Sequence, residues 1–494
     1  MDQTLTIFSF AFTLAALAAA ICFDARPGVN WPLWTIPAAA GLYYFTRAAR
    51  PAALREIAAP LALVALLSLG AAVTADIRLH ALIAMACIVL LSLAMRIAAG
   101  APAERVGAGF IAASPLIGAL ETVGESWRRT TAVARDGSAQ RSLPVVRGLL
   151  IATPVVIVLW VLLAEADPHL YQWGRAIAEA IEQLAFVPRL LFGIGIAVLT
   201  LGAYGLVLRG GARVAPALDR APVTIAATER LMVLGAVVLL FALFVALQLP
   251  YRFGDPAGAA GTGITYADWA HRGFGELTTA AVLVTVLIVI LETCAVRGGD
   301  AQERLARVGA LTLVALTALV VLSAFRRITL YEGAYGFTGA RLWAQAFMLG
   351  VGIALALLAL EIRGMLDARR LARRTLLAAA AMLVGLVYWN TDAFIVRRNV
   401  AQFGGTEKLD VQYLAFRLSK DAMPALLAAR STLPPAQGAH LAACIARRIE
   451  RTHARELREG RWFEYSVRRQ AAVEAVSGAG DSVGDSRACE FNRD

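Results

Sequence analysis

Charge is scarce in this sequence. Only 17% of its 494 residues are Asp, Glu, Lys or Arg, where a soluble domain carries about 25%. Hydrophobic residues make up 59% and mean hydropathy is +0.64. That balance excludes a soluble globular enzyme, a disordered protein and a nucleic-acid-binding domain. Motifs that carry chemistry are missing too: there is no P-loop ending in Gly-Lys-Ser/Thr, no Cys-x-x-Cys and no His-Glu-x-x-His. The histidines (His80, His169, His271, His440 and His453) stand apart from one another. No metal, haem, nucleotide or other cofactor is therefore expected. Gly193-Ile194-Gly195 lies inside an apolar run, where close helix packing accounts for it better than phosphate binding. Of five cysteines, Cys22, Cys87 and Cys294 fall in apolar runs, as small buried thiols do. Cys444 and Cys489 lie near the C-terminus, where a periplasmic location would let them pair.

What is present is a series of charge-free windows. A charge at mid-bilayer costs at least about 2.5–3.5 kcal/mol, and a helix needs about 17–25 residues to cross. Such windows run from Asp2 to Asp24, Arg26 to Arg47, Glu56 to Asp76, Arg78 to Arg96 and Arg147 to Glu165. They continue from Arg189 to Arg209, Arg230 to Arg252, Glu276 to Arg297, Arg307 to Arg326, Arg341 to Glu361 and Arg374 to Asp392. These make about eleven spans, each helical because lipid offers backbone groups no partner. Val106 to Leu120, interrupted by Ser114-Pro115, reads as an interfacial or packed helix, with a twelfth span as the alternative. The first window has Asp2 and no basic residue ahead of it, so it reads as an uncleaved anchor rather than a signal peptide.

The loops sort the arginines. Those after the even-numbered spans carry 22 Lys and Arg, and those after the odd-numbered spans carry 9. Cytoplasmic loops hold the excess, which puts the N-terminus in the cytoplasm and, for an odd span count, the tail outside. The expected address is the bacterial inner membrane. Arg369, Arg370, Arg373 and Arg374 would also attract anionic head groups, so membrane lipids are expected partners.

From Asp392 onward about 28% of residues are charged, against about 14% before it, which marks a boundary. Asp410 to Arg430 reads as a helix with Val411, Leu414, Leu418, Met423, Leu426 and Leu427 on one stripe. Leu433-Pro434-Pro435 ends it, and Ala436 to Arg458 reads as a second helix with Leu441, Ile445 and Ile449 inward. Trp462, Phe463 and Tyr465 cluster with Arg468 and Arg469, and disorder is expected from Ser477. The expected organisation is a four-span segment (1–100), a basic cytoplasmic loop (101–147), a seven-span core (148–391), an extracytoplasmic helical domain (392–476) and a disordered end (477–494). The fold class is thus all-α: a polytopic transmembrane bundle with a small C-terminal helical domain outside the membrane, suited to an envelope protein partner.

Polar residues gather at the expected outer ends of the later spans. Asp268, Arg272 and Glu276 follow at i,i+4 spacing after the seventh span. The run after the ninth span holds Arg326, Arg327, Glu332 and Arg341, with Gly333, Gly336 and Gly339 at intervals of three for tight turns. In a structural reading Tyr331, Tyr335, Phe337 and Trp343 form an interfacial belt and the charges close short loops. In a functional reading the arginines surround an anion while Asp268, Glu276 and Glu332 act as acid, base or ion partner.

The run from Arg326 through Tyr331-Glu-Gly-Ala-Tyr-Gly336 to Thr338, with Arg341-Leu-Trp-Ala-Gln345, resembles the signature of a family of bacterial multi-pass membrane proteins catalogued only as a domain of unknown function. Further matches are Ala166-Asp-Pro168, Thr265 to Asp268, Arg272 to Phe274, Asn390 to Ala393, Arg398-Asn399, Leu409-Asp410 and Tyr465-Ser466 before Arg468. The resemblance spans roughly residues 148 to 470 and implies a fold but no reaction.

Three function classes follow. A non-enzymatic envelope scaffold or sensor fits the absence of catalytic motifs. A transporter of a small anionic solute would show broken helices and mid-membrane charges, whereas these charges sit at span ends. A lipid-linked glycosyl- or phosphotransferase would share the layout but with acidic residues in its first outer loop, where only Asp24 and Arg26 stand.

Overall fold

The computed structural model describes residues 3–102, 106–135, 186–211, 225–253, 274–364, 366–456 and 461–479, a few positions between 156 and 174, and Cys489. The helices through the membrane part are α1 (Gln3–Ile21), α2 (Asn30–Ala49), α3 (Leu54–Ala71), α4 (Ile77–Ala98), α5 (Ala108–Arg135), α6 (Phe186–Arg209), α7 (Ala227–Phe253), α8 (Phe274–Cys294), α9 (Asp300–Tyr335), α10 (Gly339–Arg363) and α11 (Ala368–Tyr388). Among the described residues eight of these, α3, α4 and α6 to α11, are long and apolar enough to cross a bilayer. The apolar part of α1 is shorter, Leu5–Ile21, and α2 lies outside that set of eight. Of the expected window from Arg147 to Glu165 only Val156, Leu159, Trp160 and Leu163 are among the described residues.

The packed helix read at Val106 to Leu120 is α5, which runs through Ser114-Pro115 and on to Arg135, with Ser114 buried against Arg96. One expectation needs correction here: the run after Arg326 is not a loop, because α9 continues to Tyr335. At 36 residues α9 is about 54 Å long, well beyond a hydrocarbon core of about 30 Å. Of the three glycines there, only Gly336 needs its freedom, with φ +80° at the end of α9.

The chain divides into two compact units. The first takes residues 1–72, 85–103 and 111–214. In it α1 packs on α6, where Gly193 brings the backbone close to Ala19 while Gly195 faces open space. Phe10 packs edge-on against Phe45 and Tyr204, whose rings lie tilted to each other, with centroids 5.0–6.1 Å apart, and the Tyr204 hydroxyl donates to the Ala38 carbonyl at 2.9 Å. Arg96, fully buried, donates to Ser114 at 3.1 Å and lies 3.4 Å from Glu121. Its buried charge is tolerable because both partners are fixed on α5.

The second unit takes residues 73–84, 104–110 and 215–494. Its apolar core runs through α7 to α11 by way of Leu234, Ile288, Leu313, Met348, Leu358 and Leu371. At one end of these helices, buried Arg230 of α7 bonds both oxygens of Glu292 at 2.7–2.8 Å and both of Glu303 at 3.2 Å. At the same end Glu361 of α10 accepts from Arg370 and Arg374 of α11 at 2.6 Å. At the other end lies a cap of short helices: α12 (Thr391–Phe403), α13 (Val411–Phe416), α14 (Met423–Thr432), α15 (Pro435–Glu456) and α16 (Val467–Ala479). The expected helix from Asp410 to Arg430 is split into α13 and α14, because Ser419 and Asp421 make a turn and Pro424 starts a new helix. Of the expected inward stripe, Val411, Leu414, Leu418, Met423, Leu426, Leu441 and Ile445 are buried, while Leu427 and Ile449 are only half-buried against it. Cys444 and Cys489 form a disulfide. Residues 480–488 and 490–494 lie outside the described set.

Candidate functional site

The cap is held by three segments of the second unit: the stretch Val73–Arg78, the turn between α9 and α10, and the end of α11. Asp421, from the turn before α14, is the hub. Its Oδ2 accepts from the Thr74 hydroxyl at 2.6 Å and from Arg468 Nη1 at 3.1 Å, and its Oδ1 accepts from the Ala75 N–H at 2.7 Å. Asp421 is 3% exposed and Thr74 0%, while Ala75 and Arg468 are half-buried. A carboxylate with a charged partner and two further donors is well satisfied even at that depth. Ser466 donates to the carbonyls of Val73 at 3.2 Å and Thr74 at 2.9 Å, and the Arg468 N–H donates to Val73 O at 3.1 Å. Arg468 also reaches the Tyr388 carbonyl at 2.8 Å, and Asn390 Nδ2 donates to Asp421 O at 2.9 Å.

A second clasp closes the α9–α10 turn. Asn399 of α12 accepts from the Phe337 N–H at 2.6 Å and donates to its carbonyl at 2.8 Å. Gln402 donates to the Gly333 carbonyl and the Gly339 N–H donates to the Tyr413 hydroxyl, both at 2.7 Å. A Cβ on Gly336 would sit 2.9 Å from Asn399 Oδ1, so the turn and the clasp are fitted to each other.

Between the clasps lie Asp76 and Asp392, each 4% exposed. Asp76 accepts from the Arg78 N–H at 2.9 Å and its Nε at 3.3 Å; Asp392 accepts from the Ser419 N–H at 2.7 Å. Burial pushes the Asp392 carboxyl above the usual range, the bonds to Ser419 pull it down, and Asp76 and Arg78 act in opposite senses. Burial also raises the Tyr413 hydroxyl.

The residues singled out from sequence fall as follows. Asp268 and Arg272 lie outside the described residues. Glu276 is exposed in the first turn of α8, Arg326 is exposed on α9, and Arg327 is half-buried. Glu332 and Arg341 come to one place. Glu332 is 1% exposed; its Oε2 accepts from Gln345 at 2.7 Å, and its Oε1 has no hydrogen-bond partner among the described residues. Arg341 stacks 4.2 Å over the Tyr331 ring and donates to the carbonyls of Tyr335 and Gly336.

Sequence reasoning missed the hub. Nothing in Thr74-Ala75-Asp76 marks it as a receiving site, because its partners are 346 and 347 residues away. The clasp residues were visible only as motif matches: Asn390, Asn399, Ser466 and Arg468 stood in the resemblance without a role.

Fold and site together define a polytopic integral membrane protein whose C-terminal helices are clasped to one end of its second helical unit. The chain belongs to the family described as a domain of unknown function, DUF4153, which it matches over residues 61–429. That range takes in Thr74, the Glu332 turn, Asn399 and Asp421, and ends before Ser466 and Arg468. No curated protein and no solved structure matches the chain.

Proposed function

We propose that the protein is a non-enzymatic scaffold or sensor of the bacterial inner membrane, with its N-terminus in the cytoplasm and its cap presented in the periplasm to an envelope protein. The observation that carries this reading is the use made of polar groups. Asp421, Asn399, Tyr413, Ser466 and Arg468 are engaged with backbone or with one another in holding the cap, as a presentation device requires. The disulfide between Cys444 and Cys489 supports an oxidising compartment for the cap. The arginine bias of the loops supports the orientation. A groove of about 670 Å³ between α12 and α14, walled by Val396, Arg397, Val400, Pro424 and Ala428, offers a partner surface.

The test is photo-crosslinking in cells from a reactive residue placed at Ala401 or Ala428, both exposed beside the groove. A discrete adduct with one envelope protein, lost when Asp421 is replaced, is the expected result. No adduct from either position, with the cap intact, would remove the reading.

One observation favours transport as the second reading: the buried Glu332 oxygen that has no hydrogen-bond partner among the described residues. A carboxyl so placed suits a proton carrier coupled to a small anion. Glu332→Gln would then abolish solute accumulation while leaving the crosslink unchanged; the scaffold reading predicts no such loss.

A further inference from the structure

We propose that a groove between α8, α10 and α11, together with the arginine elbow that joins α10 to α11, forms a binding site for one anionic phospholipid. The groove holds about 370 Å³ and is walled by Val286 of α8, Gly350 and Ala354 of α10, and Thr375, Ala378 and Met382 of α11. Small side chains at Gly350, Ala354 and Ala378 leave the gap. All three helices are apolar enough to cross a bilayer, and these residues lie in their middle turns. A groove at hydrocarbon depth takes an acyl chain.

The elbow supplies the head-group half. Arg374, Ala378 and Met382 recur every four residues along α11, drifting about 40° around the helix at each step, with Arg370 one step further along the same row. Arg374 is thus about 12 Å along the axis from Met382, and Arg370 about 18 Å. Buried Glu361 of α10 fixes both guanidinium groups. It accepts from Arg370 Nε at 2.9 Å and Nη2 at 2.6 Å, and from Arg374 Nη1 at 2.6 Å. The two arginine side chains remain 42% and 50% exposed. Five arginines lie between Arg363 and Arg374, and the acid among them, Asp367, already caps α11 by accepting from the N–H groups of Arg369 and Arg370. Arg374 gives Nη1 to Glu361 and stays half exposed; a guanidinium fork has five donors, and its planar geometry matches a phosphate.

One molecule answers both halves. A soluble phosphate would meet the arginines and leave the groove. A neighbouring helix would fill the groove and leave the arginines. A phosphate joined to an acyl chain spans the two, with the reach that the face of α11 sets. The inference rests on neither reading of the function.

The test uses the purified full chain and native mass spectrometry, with dioleoyl-phosphatidylglycerol, dioleoyl-phosphatidylcholine and inorganic phosphate as probes. The wild type is expected to retain about one phosphatidylglycerol through a detergent wash. Retention of phosphatidylcholine and of phosphate should be at least tenfold lower. Arg374→Gln, which keeps a donor for Glu361, and Ala378→Phe, which fills the groove, should each cut retention about tenfold; Arg304→Gln, at an exposed position on α9, should not. Equal retention of phosphatidylcholine, or loss with Arg374→Gln but none with a folded Ala378→Phe, would overturn the proposal. Should Ala378→Phe fail to fold, the wild type carrying phosphatidylglycerol with a photoreactive acyl tail decides: labelling is expected on the peptides holding Gly350, Ala378 and Met382, and even labelling of all helices would refute the site.

Discussion

The two ends of the second helical unit are sealed by different chemistry. At the arginine end, charge meets charge: Arg230 bridges Glu292 and Glu303, and Glu361 takes Arg370 and Arg374. Partners sit on packed neighbouring helices; Glu361 and Arg370 are nine residues apart, and Arg230 reaches Glu292 across 62. At the cap end, the ion pairs of Arg468 with Asp421 and of Arg78 with Asp76 stand among side chains that grip backbone: Ser466 bonds the Thr74 carbonyl across 392 residues, and Asn399 bonds both polar groups of Phe337. Ion pairs of the first kind staple helices that are already neighbours. The second kind needs both surfaces finished before it forms, since a backbone group has a direction as well as a position. The arginine end is therefore a folding staple, and the cap end is a fitted joint.

That contrast can be broken by substitution. The largest effect is expected from Asp421→Ala, which leaves the Thr74 hydroxyl and the Ala75 N–H without their acceptor and Arg468, largely buried, without its carboxylate. Removing one partner of a buried pair costs about 3–5 kcal/mol. The cap should come loose while the membrane helices stay folded, seen as faster amide exchange in α14 to α16 with unchanged exchange in α9. Equal loosening of both would erase the distinction between joint and staple. At the other end Arg230→Met strands Glu292 and Glu303 and should cost about 3 kcal/mol, read as a lower midpoint for the whole unit in a detergent melt. A cap that loosened alone would contradict the staple. A smaller loss, about 2 kcal/mol, is expected for Asn399→Ala, which leaves the N–H and carbonyl of Phe337 unpaired; limited proteolysis near Gly336 reports it.

The finest probe is pH. Burial raises the Asp392 carboxyl, so its contribution to cap stability is complete below the ordinary aspartate value and is lost as pH rises through the raised one. The cap should hold more tightly near the ordinary aspartate value than at a pH above the raised one. Asp392→Asn, which keeps an acceptor for Ser419, should flatten that slope. An unchanged slope would locate the titration elsewhere.

Much of the molecule was legible because hydrocarbon is a strict solvent. Arg307 and Arg326 bracket the apolar part of α9, and Arg341 and Glu361 that of α10, as charge avoidance requires. The apolar stripe of the cap was equally plain, from Leu414 to Ile445. What the pattern could not convey was how far α9 runs past its apolar window, since Arg326 to Tyr335 is polar enough for a loop and helical enough for three more turns. The same limit applied to α5, which runs past Leu120 to Arg135. The joint itself was illegible for a different reason. A hydrogen bond from Thr74 to Asp421 leaves no periodic trace, and the receiving groups at Val73 and Phe337 are backbone, which every residue possesses.

The most direct test of the joint as an outer cap is cysteine accessibility in intact cells. A single cysteine at Arg363, exposed at the arginine end, or at Glu407, exposed on the cap, would be introduced with Cys22, Cys87 and Cys294 removed. A membrane-impermeant maleimide is expected to label the Glu407→Cys protein in whole cells and the Arg363→Cys protein only after lysis. Labelling of both from the same side would contradict the account.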